Sequence, residues 1–312
     1  MNPQLEPILS EIEKAVVGKR GVIEKILMAL LAEGHILLDD VPGVGKTTLA
    51  VALSRALGLD FSRIQFTPDV LPSDIVGFSV YDRQSGEFVY RPGAVTNANL
   101  LLGDEINRTS SKTQSALLEA MEERQITVDG HTYPLPKPFI VIATQNNVGT
   151  AGTQLLPYAQ MDRFLVRLSV GYPDRDAQIA MLRARQDENP LDRVHPVASR
   201  EDVLAMQTAV RAESVSDAIL DYITRLTMAS REHPMLEVGV SPRGALCLCR
   251  MAKARAYLLG RDYVVGEDVQ DVWQDVCAHR VAATPKARLS GVTGADILRD
   301  VLSSVESPDQ RV

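Results

Sequence analysis

Residues 35–47 leave this chain few folds to choose from. A short apolar run, His35-Ile36-Leu37-Leu38, leads into Asp40-Val41-Pro42-Gly43-Val44-Gly45-Lys46-Thr47, and a helical pattern follows from Lys46 to Leu57. Strand, glycine-rich loop and helix in immediate succession make the phosphate-binding arrangement called a P-loop. Glycines let backbone N–H groups approach phosphate oxygens, and the helix N-terminus adds its dipole. Lys46 then reaches the β- and γ-phosphates, and the Thr47 hydroxyl sits on Mg2+. The pattern departs from G-x-x-x-x-G-K-[ST] at its first position, where Asp40 replaces glycine. Gly43 and Gly45 are retained, so the departure bears on loop entry rather than on phosphate binding. An ordinary glycine-rich turn is the competing reading, and the flanking strand and helix disfavour it.

From about Met1 to Pro173 strand and helix signals alternate. Further apolar runs at 99–102, 139–143 and 164–166 read as buried parallel strands, with helical patterns at 20–33, 46–57 and 112–123. This is the alternation of a doubly wound α/β sheet. Two stretches interrupt it: 74–92, with Gly77, Tyr81, Ser85-Gly86 and Tyr90, and 125–138, with the turn signal Asp129-Gly130 between Ile126, Val128 and Tyr133. Both read as β-hairpins inserted in the core. Beyond Pro173 the text is helical, at 174–186, 200–212, 216–230, 242–259 and 266–279, with a polar, proline-bearing linker at 187–199 and a loose polar tail after Ser303. The expected organisation is an α/β nucleotide-binding domain over 1–186, the linker, and an all-helical lid over 200–312.

Two further motifs carry chemistry. In Leu100-Leu101-Leu102-Gly103-Asp104-Glu105 a buried strand delivers two carboxylates at its carboxyl end, where open α/β sheets bind ligands. There Asp104 would join the Mg2+ shell and Glu105 would polarise the attacking water, a pairing that points to ATP hydrolysis by a general base. In Ala143-Thr144-Gln145-Asn146-Asn147 a carboxamide stands at the next strand tip, where it can orient water; by itself this reads equally as a polar turn.

Composition bounds the partners. The net charge of −7 argues against a dedicated nucleic-acid binder. Three cysteines, Cys247, Cys249 and Cys277, read as small buried hydrophobes in a reducing cytosol rather than a metal site. The longest apolar run, Ile26 to Ala32, is too short to span a bilayer. The expected location is cytoplasmic.

Taken together, residues 41–47, Asp-Glu-Ile-Asn-Arg (104–108), 112–124, Ala-Thr-Gln-Asn (143–146), Leu-Pro-Tyr-Ala-Gln-Met-Asp-Arg-Phe (156–164) and Ser-Pro-Arg (241–243) resemble the MoxR family of AAA+ ATPases, from about Val16 to Val276. The resemblance implies ATP and Mg2+ as cofactors, with Val17, Gly18, Pro42, Gly43, Val44, Gly45, Lys46, Thr47 and Thr48 around the nucleotide. It implies Asn146 as the sensor-1 residue, Arg163 as the arginine finger and Arg243 as the sensor-2 arginine, acting in cis or in trans. The sequence departs from relatives at Thr109-Ser110-Ser111 and at Asn147. A guanidinium stabilises the charge built up in phosphoryl transfer. From spacing alone, Asp162-Arg163 reads equally as a surface ion pair. Arg243 follows Ser241-Pro242 at a helix start, where the dipole repels a cation unless an anion compensates.

The resemblance further implies a ring, a hexamer, that remodels or matures a partner carrying a von Willebrand A domain, in metal-cofactor insertion or complex assembly. A magnesium-chelatase-like subunit is one alternative. A nucleic-acid motor is another, although the second hairpin offers only Arg124, His131 and Lys137 against Asp129. Tyr81, Phe88 and Tyr90 in the first hairpin are candidate anchors for the partner, or packing residues of the hairpin itself. Trp273 with Val269, Val272 and Val276 reads as lid core, and Arg250, Lys253, Arg255 and Arg261 as a solvated lid face or a subunit interface.

Overall fold

Five short strands supply the frame: β1 (Ile36–Asp39), β2 (Phe61–Gln65), β5 (Leu100–Asp104), β8 (Ile140–Gln145) and β9 (Val166–Leu168), all parallel, in the order β2-β5-β8-β1-β9. The computed structural model describes residues 1–146, 156–184 and 189–308. Alternation along each strand divides the apolar residues between two cores. Ile36, Leu38, Leu100, Leu102, Ile140 and Ile142 face one side and join α1 (Glu6–Glu13), α2 (Arg20–Leu31) and α3 (Lys46–Ala56). Leu37, Leu101, Val141 and Ala143 face the other and pack with Leu117, Leu118 and Met121 of α5 (Ser111–Glu123). Both faces are covered, which is why the central strands read as continuous apolar runs.

Two hairpins form separate two-stranded sheets beside the main one. After the short helix α4 (Pro72–Val76), β3 (Gly77–Asp82) pairs with β4 (Glu87–Pro92), and β6 (Gln125–Val128) pairs with β7 (His131–Pro134). Tyr90 stacks on Tyr133 at 4.3 Å, so the two hairpins lean on one another. The Tyr90 hydroxyl donates to the Val76 carbonyl at 2.5 Å. Tyr90 is thus a packing residue, whereas Tyr81 and Phe88 form an edge-on pair on the open face, 54% and 74% exposed.

Beyond α6 (Tyr158–Met161) and α7 (Arg175–Ala184) come α8 (Arg200–Ala212), α9 (Asp217–Glu232), α10 (Pro242–Leu258), α11 (Gly266–Cys277), α12 (Pro285–Leu289) and α13 (Gly294–Ser304). Their buried residues, including Trp273, Val269, Val272 and Val276, are continuous with the α1–α3 side of the sheet.

One expectation needs correcting, and further contacts add detail. The lid is not wholly helical: β10 (Leu236–Val238) pairs antiparallel with β11 (Ala282–Ala283), strands too short to show a period. The described part of the expected linker is strapped down, with Val197 N–H on the Ala56 carbonyl at 2.9 Å and His195 N–H on Glu11 at 2.8 Å. The basic lid residues have partners within the chain: Arg261 clamps buried Asp268 at 2.6 and 2.8 Å, Arg255 pairs with Asp271, and Arg250 and Lys253 donate to the carbonyls of Ala32 and Arg211. Among the described residues no helix is long and apolar enough to cross a membrane.

Candidate functional site

The carboxyl ends of β1, β2, β5 and β8 converge on a cleft of about 350 Å3 lined by Pro42, Gly43, Gly45, Lys46, Thr47, Thr48, Gln65, Asp104, Glu105, Thr144 and Asn146. Gly43 and Gly45 have φ of 85° and 92°, and nothing lies within 4 Å of a Cβ built on either. Backbone conformation, not crowding, demands glycine here. Gly45 caps α3, so the helix N-terminus opens into the cleft.

Lys46 is only 8% exposed. Its ammonium donates to Asn146 Oδ1 at 2.8 Å and to the Asp40 carbonyl at 3.3 Å. Burial draws its pKa below the ordinary lysine value, against the pull of the Asp40, Asp104, Asp39 and Glu105 carboxylates. Asn146 donates in turn to Glu105 Oε1 at 2.7 Å. One carboxamide therefore spans the lysine and the acid.

Glu105 adopts a left-handed conformation, φ 57°, immediately after β5. The Thr144 hydroxyl accepts the Glu105 N–H and donates to Asp104 Oδ1, both at 2.9 Å. Arg63 holds Asp104 Oδ2 at 2.7 Å, while Gln65 and Arg108 hold Glu105 Oε2 at 3.1 and 2.7 Å. The sequence alone does not single out Thr144, Gln65, Arg63 or Arg108 as site residues; only Thr144 and Arg108 fall inside motifs, at 143–146 and 104–108.

Asp40 has a structural occupation. Its Oδ2 accepts from the Val170 and Gly171 amides at 2.5 and 2.8 Å and from the Ser169 hydroxyl at 3.2 Å, and its Oδ1 accepts from the Val41 amide at 3.0 Å. This carboxylate ties loop entry to the chain beyond β9. Ser110 caps α5 through the Thr113 amide, which accounts for part of the 109–111 departure. Asn147 lies outside the described residues.

Not every expected residue lines the cleft. Val44 packs against the core, and Val17 and Gly18 lie outside the lining, Gly18 abutting Ala177. Arg163 and Arg243 are elsewhere on the chain, both on the Glu122 carboxylate at 3.0 and 2.8 Å. Asp162 pairs with Arg280 at 2.8 Å rather than with its sequence neighbour Arg163. The anion that compensates Arg243 at its helix start is Glu122. In the second hairpin region, Arg124 is occupied by Glu33 at 3.0 Å.

The family model for the ATPase family associated with various cellular activities (AAA) matches residues 35–166, and the AAA lid domain model matches 228–301. The Bacillus subtilis protein YeaC is 46% identical over 311 residues, covering 100% of this chain and 97% of its own. Chaperone MoxR1 of Mycobacterium tuberculosis is 38% identical over 97% of this chain and 82% of its own. A solved structure from Cytophaga hutchinsonii superposes with a TM-score of 0.91 at 37% identity, covering 98% of this chain and 95% of that one.

Proposed function

The chain belongs to the MoxR family of AAA+ ATPases, and on that premise we propose that it hydrolyses ATP at a site completed by a neighbouring copy and uses the cycle to remodel or mature a partner protein. The observation that carries this reading is a division. Lys46, Asn146 and Glu105 are linked in one cleft, while Arg163 and Arg243 stand together outside it.

In the cleft the α3 N-terminus and Lys46 neutralise phosphate charge. Glu105 accepts a proton from the attacking water, and Asn146, already bonded to Glu105, orients that water. Thr47 and Asp104 both line the cleft and offer the hard oxygen donors that Mg2+ takes, so the residues fit the ion. When bound, Mg2+ supplies charge neutralisation at the phosphates. Arg163 and Arg243 of one copy then serve the nucleotide of the next, and a head-to-tail contact of this kind closes into a ring, a hexamer in this proposal.

The grip on the partner is assigned to the exposed face of the first hairpin, where Tyr81 and Phe88 stand open. Aromatic side chains dominate protein interfaces of this sort. The partner class is a protein with a von Willebrand A domain, and the work is metal-cofactor insertion or complex assembly.

The test is Glu105→Gln beside Lys46→Ala. The first should keep ATP bound and stop turnover, because only the base is removed, while the second should lose nucleotide binding. Wild-type turnover by the Gln variant would show that Glu105 is not the base.

A further inference from the structure

Arg163 precedes β9 and Arg243 lies in the first turn of α10, yet both side chains meet one carboxylate in the last turn of α5. Arg163 Nε lies 3.0 Å from Glu122 Oε2, and Arg243 Nη2 lies 2.8 Å from Glu122 Oε1. Each oxygen takes one guanidinium. We infer that Glu122 is a positioning residue, holding Arg163 and Arg243 as a spaced pair that receives the terminal phosphate of ATP bound to a neighbouring copy. The inference rests on the shared-site reading above.

Three features support it. Arg163 meets Glu122 at Nε, and a guanidinium offers five N–H donors in a planar fork that matches phosphate oxygens, so this one contact does not use up its capacity to bind an anion. The group of two cations and one anion keeps a net positive charge, and without Glu122 the two guanidiniums would repel one another. All three side chains are roughly one-third to two-fifths exposed: 32% for Arg163, 43% for Arg243 and 37% for Glu122. Ion pairs this open contribute little to stability, so a structural role explains the convergence poorly.

The backbone around Arg163 is held by other means. Arg280, almost wholly buried, donates to the Asp162 carboxylate at 2.8 Å and to the Phe164 carbonyl at 2.6 Å. The Ser241 hydroxyl reaches Asp162 at 3.4 Å, bringing the start of α10 to the same place. Arg280 and Ser241 therefore place the two arginine-bearing segments, and Glu122 is left to orient the side chains.

The test compares assembled wild type, Glu122→Gln, Arg163→Ala and the double variant by steady-state hydrolysis, with ATP affinity measured separately. Glu122→Gln should lower kcat about tenfold or more, because misplaced catalytic groups are costly, while ATP affinity stays within about twofold. The double variant should be slowed by less than the product of the two single effects, since Glu122 acts in part through Arg163. A Glu122→Gln variant with wild-type or higher kcat overturns the inference, as does a double variant slowed by the product of the two single effects. If Arg163→Ala itself keeps wild-type kcat, the shared-site reading falls and this inference with it. Should Glu122→Gln melt below the assay temperature, Glu122→Asp, which keeps the charge but retracts it, replaces it under the same criteria.

Discussion

Replacing Asp40 by glycine would restore the P-loop pattern, yet it should destabilise this protein. Asp40 is 9% exposed, and its carboxylate serves the Val170, Gly171 and Val41 amides and the Ser169 hydroxyl. Asp40 is not among the residues with positive φ, so glycine gains nothing there from its conformational freedom. The Val170 contact is buried, and the Gly171 contact partly so. A buried donor left without its acceptor costs about 1–3 kcal/mol, and an added glycine about 0.5–1 kcal/mol of backbone entropy. Because water reaches the Gly171 amide in part, a loss of about 3 kcal/mol is expected, a large share of the ~5–15 kcal/mol that holds a typical domain together. Asp40→Asn keeps an acceptor oxygen and should lose about 1 kcal/mol. Urea unfolding of the two variants beside wild type measures both numbers. An Asp40→Gly variant as stable as wild type would refute the assigned role of the carboxylate.

Two more outcomes follow from the packing. His35 accepts the Val141 amide at Nδ1 and faces the Met121 carbonyl through Nε2, each at 3.0 Å, and burial holds its pKa down at about 3. The folded chain keeps the ring neutral, while the unfolded chain protonates it below about pH 6.5. Its contribution is therefore complete above that pH and lost as pH falls toward 3, by ~1.4 kcal/mol at pH 5.5. Unfolding free energies at pH 7.5 and 5.5 should differ by that much less in His35→Gln than in wild type; an unchanged difference would contradict the assignment. In the first hairpin, Tyr90→Ala should cost roughly 2 kcal/mol through the lost stack on Tyr133, while Phe88→Ala should cost under about 0.5 kcal/mol and weaken partner binding instead. Urea melts and a partner titration separate the two.

What was legible in the sequence is what lies close along the chain. Pro42 through Thr48, Asp104 with Glu105, and Asn146 occupy three short runs at strand ends, and parallel pairing brings those ends together. Contacts across strands left no such mark. Arg63 and Gln65 belong to β2, an edge strand whose polar residues hide its periodicity. Glu122 sits among Glu119 and Glu123 on α5 and reads as one more solvated acid. Asp162 takes Arg280 rather than adjacent Arg163, because tertiary packing chose the partner. Asp40 reads as a flaw in the motif until the amides beyond β9 come into view.

The central claim is that ATP held by Lys46 of one copy is hydrolysed with the arginines of another. Its most direct test mixes Arg163→Ala subunits, which keep Glu105, with Glu105→Gln subunits, which keep Arg163. A site is complete when its own subunit supplies the acid and its neighbour supplies the arginine, so random equimolar assembly should restore on the order of a quarter of wild-type turnover from two inactive parents. Turnover no higher than the sum of the separate variants, in rings shown to contain both, would contradict the shared site.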